Sequence, residues 1–237
     1  MADHAGMATA FILFTRIPVP GRCKSRLAPA LSAEDRASLQ LAMILDEANR
    51  LHRVTQSHDG YLSVWLSDED SDGSGREART RLLEGLPEEA RVHRQHGAGL
   101  GARMANAIDA ELASGASAAL LMGSDLPLVD VATLQSCLAA FEGKDALLCP
   151  SADQGYWMAG LREPCAQLFA GKRYGSGSVF DEAMASLQAT GRTVGIGPQT
   201  RDLDDPYDLA WLLEQARTNP NAIGPHVRAW LDRVGSH

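Results

Sequence analysis

Four basic side chains lie in a short segment that follows the first apolar run of the sequence. This segment, residues 15–27, carries them in a chain whose net charge is −8: Arg16, Arg22, Lys24 and Arg26. Two prolines restrict its backbone, and Gly21 permits close approach of a ligand. Arginine forks and a lysine ammonium suit a triphosphate or pyrophosphate. The segment predicts a nucleotide-phosphate site that includes Gly21, with a solvated basic loop as the alternative.

Aspartates that could bind a cation occur in two other segments of the chain. Asp125 follows the apolar run 118–122 after two small residues, and Asp202 and Asp204 are spaced so that they share one side of an extended segment. If these three carboxylates converge, they repel one another unless a cation lies between them. Mg²⁺ prefers hard oxygen ligands and often joins carboxylates to substrate phosphates. The alternative for Asp125 is a turn cap, whereas Asp205 is best explained as a helix N-cap.

Three loops rich in small residues could also contact a ligand. Residues 97–103 hold three glycines at the start of a predicted helix, where backbone N–H groups bind anions. From this loop we select as nucleotide-binding candidates Gly99, Gly101 and Arg103. The loops at 153–156 and 174–178 supply the substrate-binding candidates: Asp153, Gly155, Tyr156, Gly175 and Ser178. Each loop could instead be an ordinary turn.

Short apolar runs alternate with segments of helical spacing, and these elements must position the basic and acidic segments. The runs predict strands at 10–14, 61–66, 92–95, 118–122, 146–149, 156–161 and 194–196. Helical spacing predicts helices at 32–51, 77–83, 100–112, 134–141 and 206–216, and a turn followed by a helix within 175–187. This alternation predicts a three-layer α/β/α fold with a mainly parallel mixed sheet, in which 156–161 is an antiparallel or edge strand. Ligands bind beyond the carboxyl ends of such strands.

Composition restricts the class of protein. With 22 Lys and Arg against 30 Asp and Glu, the chain is a poor nucleic-acid binder. Its 4 cysteines are scattered without a Cys-x-x-Cys pair, which favours reduced thiols in the cytoplasm. We expect neither a signal peptide nor a membrane span, because the apolar run 10–14 is too short for either. We therefore expect one cytoplasmic domain over residues 1–237, with residues 1–9 as a flexible N-terminus.

Five motifs occur in one order over nearly the whole chain. They are R-x-P-x-P-G-x-x-K-S-R-L, G-L-G-x-R-M, G-S-D-L-P, D-Q-G-Y and D-L-D-D-P-x-D-L. Together they resemble the bacterial GT-A-like nucleotide-diphospho-sugar transferase family, often described as glycosyltransferase-like. Residues 23–36 and 175–178 are also similar to motifs of the 2-phospholactate guanylyltransferases. Two departures matter. The first family has D-G-G-Y and a W-S-T loop where this chain has Gln154 and residues 174–178, and the guanylyltransferases have P-A-D where this chain has residues 123–125.

The resemblance implies a nucleotide-diphospho-sugar transferase fold and a site for nucleotide phosphates on Arg16, Lys24 and Arg26. It also implies Mg²⁺ or Mn²⁺ on Asp125, Asp202 and Asp204. Our leading hypothesis is a metal-dependent nucleotidyltransferase that joins an NTP to a small phosphorylated acceptor and releases pyrophosphate, with Lys24 and Asp125 as its catalytic residues. The alternatives are an NDP-sugar-dependent glycosyltransferase and a catalytically silent nucleotide-binding protein.

Overall fold

The computed structural model describes residues 8–67, 73–174 and 177–234. These residues form one seven-stranded sheet: β1 (Thr9–Thr15), β2 (Gly60–Leu66), β3 (Arg91–Arg94), β4 (Ala118–Met122), β5 (Ala146–Pro150), β6 (Tyr156–Leu161) and β7 (Val194–Ile196). The strand order is β3-β2-β1-β4-β6-β5-β7. Strand β6 is antiparallel to both of its neighbours, and the other pairs are parallel. The predicted mainly parallel mixed sheet is confirmed.

The same described residues form helices between the strands. These are α1 (Ala33–Ser57), α2 (Gly73–Gly85), α3 (Leu100–Ala113), α4 (Val131–Phe141), α5 (Ala166–Phe169), α6 (Val179–Ala189), α7 (Pro206–Thr218) and α8 (Pro225–Val234). Ser32 caps α1, because its hydroxyl accepts the Asp35 N–H at 3.0 Å. No helix in the described part of the chain is both long and apolar enough to cross a membrane.

The sheet is buried on both faces because alternate residues of its central strands point to opposite sides. In β1, Phe11 and Leu13 pack with α1, α2 and α4, whereas Ile12 and Phe14 pack with α3, α5 and α6. Helices therefore cover both faces, and the predicted three-layer α/β/α fold is confirmed.

Helices α7 and α8 pack against α1 in a third apolar cluster, away from the sheet. Leu39 and Met43 of α1 meet Leu212 of α7 and Val227 of α8 there. Buried Asp46 accepts the N–H groups of residues 226 and 227 at 3.0 and 2.9 Å, so an α1 side chain caps the start of α8. The two helices thereby hold the segment before α7, which carries Asp202 and Asp204, against α1.

Strand β6 and helix α8 differ from the sequence-based expectations. Residues 156–161 form an antiparallel strand, as predicted, but it lies between β4 and β5 and not at an edge. The edge strands are β3 and β7, and β3 begins and ends one residue earlier than predicted. Helix α8 was not predicted. Its 10 residues include only two buried side chains, Val227 and Trp230, so the apolar signal in its sequence is short.

Candidate active site

Lys24 connects the basic segment with both acidic segments. Its backbone is left-handed, with φ of 47°, and only 4% of its side chain is exposed. The ammonium lies 2.7 Å from Asp125 Oδ1 and 3.3 Å from Asp204 Oδ1, and it donates to the Leu203 carbonyl. Burial by itself lowers the pKa of Lys24, but the two carboxylates outweigh this effect and raise the pKa above its ordinary value.

The acidic segments are also hydrogen-bonded to each other. The Leu203 N–H donates to the Asp125 carbonyl at 2.8 Å, and the Leu203 side chain is fully buried in the cluster of α1, α7 and α8. Farther upstream, Trp157 Nε1 donates to the Pro198 carbonyl at 2.9 Å. These contacts fix the residues on either side of Asp202 at the carboxyl end of β4.

Asp205 and Asp204 have different roles although they are adjacent. Asp205 Oδ1 accepts the N–H groups of Tyr207 and Asp208 at 2.8 and 3.0 Å, which confirms the predicted helix cap. Asp204 instead faces cations: in addition to Lys24, Arg26 Nη1 lies 3.8 Å from its Oδ2. Asp204 therefore belongs to the charged cluster and Asp205 to the helix.

Asp202 is the least satisfied carboxylate of the cluster. Its Oδ1 atom is buried and has no hydrogen-bond partner. The pKa of Asp202 is raised to about 7, first by burial and then by the nearby charges of Asp125, Asp153 and Asp204, while the ammonium of Lys24 lowers it. A cation beside Asp202 would relieve both the missing contact and the repulsion.

The carboxylates of Asp125 and Asp202 form a pair that could bind a divalent cation. Asp125 and Asp202 offer hard oxygens on adjacent segments, and Mg²⁺ is commonly bound by one or two carboxylates together with substrate phosphates and water. Within the ranges described here, no group of three or more His, Cys, Asp or Glu side chains is arranged as a metal site. Asp204 as a third ligand stays a prediction, because its oxygens face Lys24 and Arg26.

The other predicted residues of the basic segment lie on the same side of the sheet. Arg16 directly follows β1 and is exposed, and Arg26 is 69% exposed. Gly21 has φ of +78° and no atom within 4 Å of the position its Cβ would occupy. The glycine is thus required by the turn and not by packing. Both arginines can reach solvent at the carboxyl ends of the strands, where phosphates would enter.

The glycines at the start of α3 have different structural surroundings. Gly99 has φ of +91°, precedes the helix without a side-chain cap and has open space around it. A Cβ on Gly101, by contrast, would lie 2.5 Å from the Phe169 carbonyl oxygen, so packing against α5 explains this glycine. Arg103 Nε donates to the Gly97 carbonyl at 3.4 Å and holds the loop closed. Packing thus accounts for Gly101, and the nucleotide contacts of Gly99, Gly101 and Arg103 stay predictions.

The two loops predicted to bind substrate, 153–156 and 174–178, are connected through a backbone hydrogen bond beside them. Asp153 Oδ1 accepts the Gly155 N–H at 2.9 Å, and the Gln154 carbonyl accepts the Phe180 N–H at 2.9 Å. Ser178 has φ of 61° and its hydroxyl donates to Glu182 at 3.2 Å. The predicted contact at residue 175 lies outside the described residues.

Sequence reasoning missed two groups that shape the site. Tyr174 places its hydroxyl 3.2 Å from that of Tyr156, and the rings meet edge to face. A signal existed for Tyr174, since it is the first residue of the selected loop 174–178. Buried polar residues of α1 also hold the turn at Asp125. The sequence contained a signal for them, because two charged residues, Glu47 and Arg50, lie within the apolar stripe of this helix.

Comparison with known proteins supports the fold. No curated protein matches this chain in sequence. A protein from Desulfovibrio desulfuricans G20, described as a candidate nucleotide-diphospho-sugar transferase, superimposes with a TM-score of 0.83 at 24% identity, covering 96% of this chain and 95% of that one. The match confirms the nucleotide-diphospho-sugar transferase fold. The similarity to 2-phospholactate guanylyltransferases stays a prediction.

Two more distant structures share the fold. The 4-diphosphocytidyl-2C-methyl-D-erythritol synthase of Anaerococcus prevotii DSM 20548 has a TM-score of 0.58 at 8% identity, over 90% of this chain and 99% of that one. The inositol-1-phosphate CTP transferase of T. maritima has a TM-score of 0.51 at 13% identity, over 90% and 97%. Residues 50–176, more than half of the chain, match the family described as uncharacterized proteins conserved in bacteria, and the chain therefore belongs to that family, DUF2064.

Proposed function

We propose that this protein is a Mg²⁺-dependent nucleotidyltransferase that joins an NTP to a small phosphorylated acceptor and releases pyrophosphate. The observation that carries the proposal is the contact of Lys24 with both Asp125 and Asp204. It unites a basic segment suited to phosphates with carboxylates suited to a metal, at the edge of the sheet where ligands bind in open α/β folds.

Asp125 and Asp202 would hold Mg²⁺ or Mn²⁺, with Asp204 as the third candidate ligand. Asp202 is suited to this role because one of its oxygens is buried without a partner. The bound metal supplies positive charge to the phosphoryl oxygens of the nucleotide. Asp125→Asn would remove this role, because the neutral amide of asparagine cannot balance the charge of a divalent cation.

The basic residues would hold the triphosphate. Lys24 would neutralise phosphate charge from within the cleft, and Arg16 and Arg26 would do so from its exposed side. An oxygen of the acceptor phosphate attacks the α-phosphorus, a new phosphorus–oxygen bond forms, and the α–β bridge breaks with its electron pair on the departing pyrophosphate. Positioning and charge stabilisation supply most of the rate in such transfers, so no side chain needs to form a covalent bond.

The acceptor would bind on the side of Asp125 opposite the proposed triphosphate site, near the loops of Asp153, Gly155, Tyr156 and Ser178. Their convergence at the start of β6 supports this placement. A transfer to a phosphorylated acceptor is also supported by the names of two structural relatives, a diphosphocytidyl synthase and an inositol-1-phosphate CTP transferase. The small molecule itself is the part of the proposal that requires a screen.

The test is a pyrophosphate-release assay with the four NTPs, Mg²⁺ and a panel of small phosphorylated compounds. Pyrophosphate release by the wild type, lost in Asp125→Asn and retained in Asp205→Asn, supports the proposal. Asp205→Asn is the matched control because asparagine caps a helix about as well as aspartate. NDP release from nucleotide sugars would instead establish the glycosyltransferase alternative, and nucleotide binding without either product would establish a silent binding protein.

A further inference from the structure

In the turn that carries Asp125, the residue before this aspartate is held by a glutamine of α1. Gln40 is buried, and its Nε2 donates to the Ser124 carbonyl at 3.2 Å and to Ser124 Oγ at 3.0 Å. The same Ser124 hydroxyl lies 2.6 Å from Thr15 Oγ1, at the end of β1. The residue before Asp125 is therefore fixed through both its backbone and its side chain.

The second side of the turn is held by a glutamate and an arginine from the same helix. Glu47 Oε1 accepts the Leu126 N–H at 2.7 Å, and Arg50 Nη2 donates to the Pro127 carbonyl at 3.0 Å. Glu47 is fully buried and Arg50 nearly so. The backbone on both sides of Asp125 is thus bound to side chains of α1.

These three α1 residues are unusual for a packed helix face. Their spacing of seven and three positions places Gln40, Glu47 and Arg50 on one side of α1. Burying such groups is unfavourable unless they are hydrogen-bonded, yet Glu47 Oε2 and Arg50 Nη1 have no hydrogen-bond partner. Apolar side chains would serve packing alone better, so the polar groups are accounted for by the turn they hold.

We propose that Gln40, Glu47 and Arg50 are positioning residues for Asp125. They fix the peptide groups before and after Asp125, so that its carboxylate stays directed at Lys24 and the proposed metal. This inference rests on the proposed function, because it assigns a purpose to the rigidity of a metal-binding turn. None of the three residues needs to touch substrate.

Asp46 provides a matched control on the same helix. It is as buried as Glu47 and it also accepts backbone N–H groups, but those groups belong to the start of α8. Replacing Asp46 should therefore destabilise the protein without disturbing the turn at Asp125. A purely structural role for Glu47 predicts that Glu47 and Asp46 variants behave alike.

The experiment measures Mn²⁺ binding to the full chain by electron paramagnetic resonance, and thermal unfolding of the same samples. The variants are Glu47→Met, which removes the acceptor for the Leu126 N–H, and Glu47→Gln, which keeps an acceptor oxygen but not the charge. Asp46→Asn is the control. Gln40→Met provides a second test on the other side of the turn, and it replaces Glu47→Met if that variant does not fold.

We expect Glu47→Met to raise the Kd for Mn²⁺ at least tenfold, with Glu47→Gln within threefold of wild type. Asp46→Asn should lower the Tm and leave the Kd unchanged. The inference would be overturned if folded Glu47→Met bound Mn²⁺ with the same Kd as Asp46→Asn. The same holds for folded Gln40→Met where it replaces Glu47→Met. Equal weakening of Mn²⁺ binding in Glu47→Gln and Glu47→Met would also overturn it. If the wild type binds no Mn²⁺, the proposed metal site and this inference both fall, whereas normal binding in every variant overturns the inference alone.

Discussion

The ammonium of Lys24 lies 2.7 Å from the carboxylate of Asp125, and Asp204 contacts the same ammonium at 3.3 Å. The lysine thus balances part of the negative charge of the cluster. A divalent cation held by Asp125 would share that carboxylate with Lys24, and two positive groups on one carboxylate repel each other. Lys24 should therefore weaken metal binding while it strengthens nucleotide binding.

Replacing Lys24 with methionine tests this opposition. Lys24→Met keeps the side-chain length but removes the charge, so we expect the Kd for Mn²⁺ to fall about tenfold, or about 1.4 kcal/mol. The Kd for an NTP should rise in the same variant. Arg26→Met is the control, since its exposed charge is screened by solvent and should change the Kd for Mn²⁺ less than about threefold. Weaker Mn²⁺ binding in Lys24→Met would contradict the opposition.

The second prediction concerns the pH dependence of stability at Asp202. The pKa of Asp202 rises from 3.8 to about 7 in the folded protein, mainly through burial, so the folded state retains a proton that the unfolded chain has lost. Stability contributed by this group is therefore lost as pH rises from about 4 to about 7. Asp202→Asn should raise the Tm by about 5 °C at pH 8 and leave it nearly unchanged at pH 4.

Thermal unfolding monitored by circular dichroism at both pH values checks the Asp202 prediction. Added Mg²⁺ should raise the Tm of the wild type at pH 8, because it relieves the same repulsion, and should raise the Tm of Asp202→Asn less. An identical change in Tm at pH 4 and pH 8 would show that Asp202 is not the source of the pH dependence.

The third prediction separates packing from ligand contact at the start of α3. A Cβ on Gly101 would lie 2.5 Å from the Phe169 carbonyl oxygen, so Gly101→Ala must push α3 and α5 apart. We expect a loss of about 1–3 kcal/mol in the free energy of unfolding, measured with urea. Gly123→Ala is the control, because it has no positive φ and open space around its Cβ position, and it should cost less than about 0.5 kcal/mol. Equal stability of the two variants would reject the packing explanation.

The central strands could be predicted because their residues are buried on both faces. The apolar run of β4 was predicted with its observed bounds, and that of β1 within one residue at each end. The position of β6 between two strands could not be derived, since a short apolar run looks the same in the middle of a sheet and at its edge. In β3, all 4 residues are exposed, so no burial pattern marked its ends.

The site was predictable as a set of residues but not as an arrangement. The sequence predicts Lys24 in a phosphate-binding loop, with a solvated basic loop as the alternative, and neither interpretation predicts that the side chain is buried, as it is in the structure. That burial depends on a left-handed backbone at a lysine and on the carbonyl of Leu203, from the far end of the chain. Side-chain patterns do not show long-range contacts made by backbone oxygens, so the ion pair of Lys24 and Asp125 could not be derived.

Gln154 gives the fourth prediction, because it has a backbone conformation that favours glycine. Its φ is 70°, and the Cβ position of Gly177 lies 3.4 Å from its Oε1. A left-handed conformation costs about 1–2 kcal/mol for a residue with a Cβ, and such strain is concentrated at functional sites. We therefore expect Gln154→Gly to stabilise the fold by about 1 kcal/mol, seen as a higher urea midpoint.

The effect of Gln154→Gly on activity should have the opposite sign. The side chain extends between the acceptor loops, so its loss should raise the KM for the acceptor found in the pyrophosphate assay and leave the KM for the NTP unchanged. Gln154→Asn is the matched variant, since asparagine tolerates the left-handed region and keeps an amide. It should fall between wild type and Gln154→Gly in acceptor KM. A more stable Gln154→Gly enzyme with unaltered acceptor KM would show that the glutamine has no part in acceptor binding, because the strain at position 154 would then be removed without any functional loss.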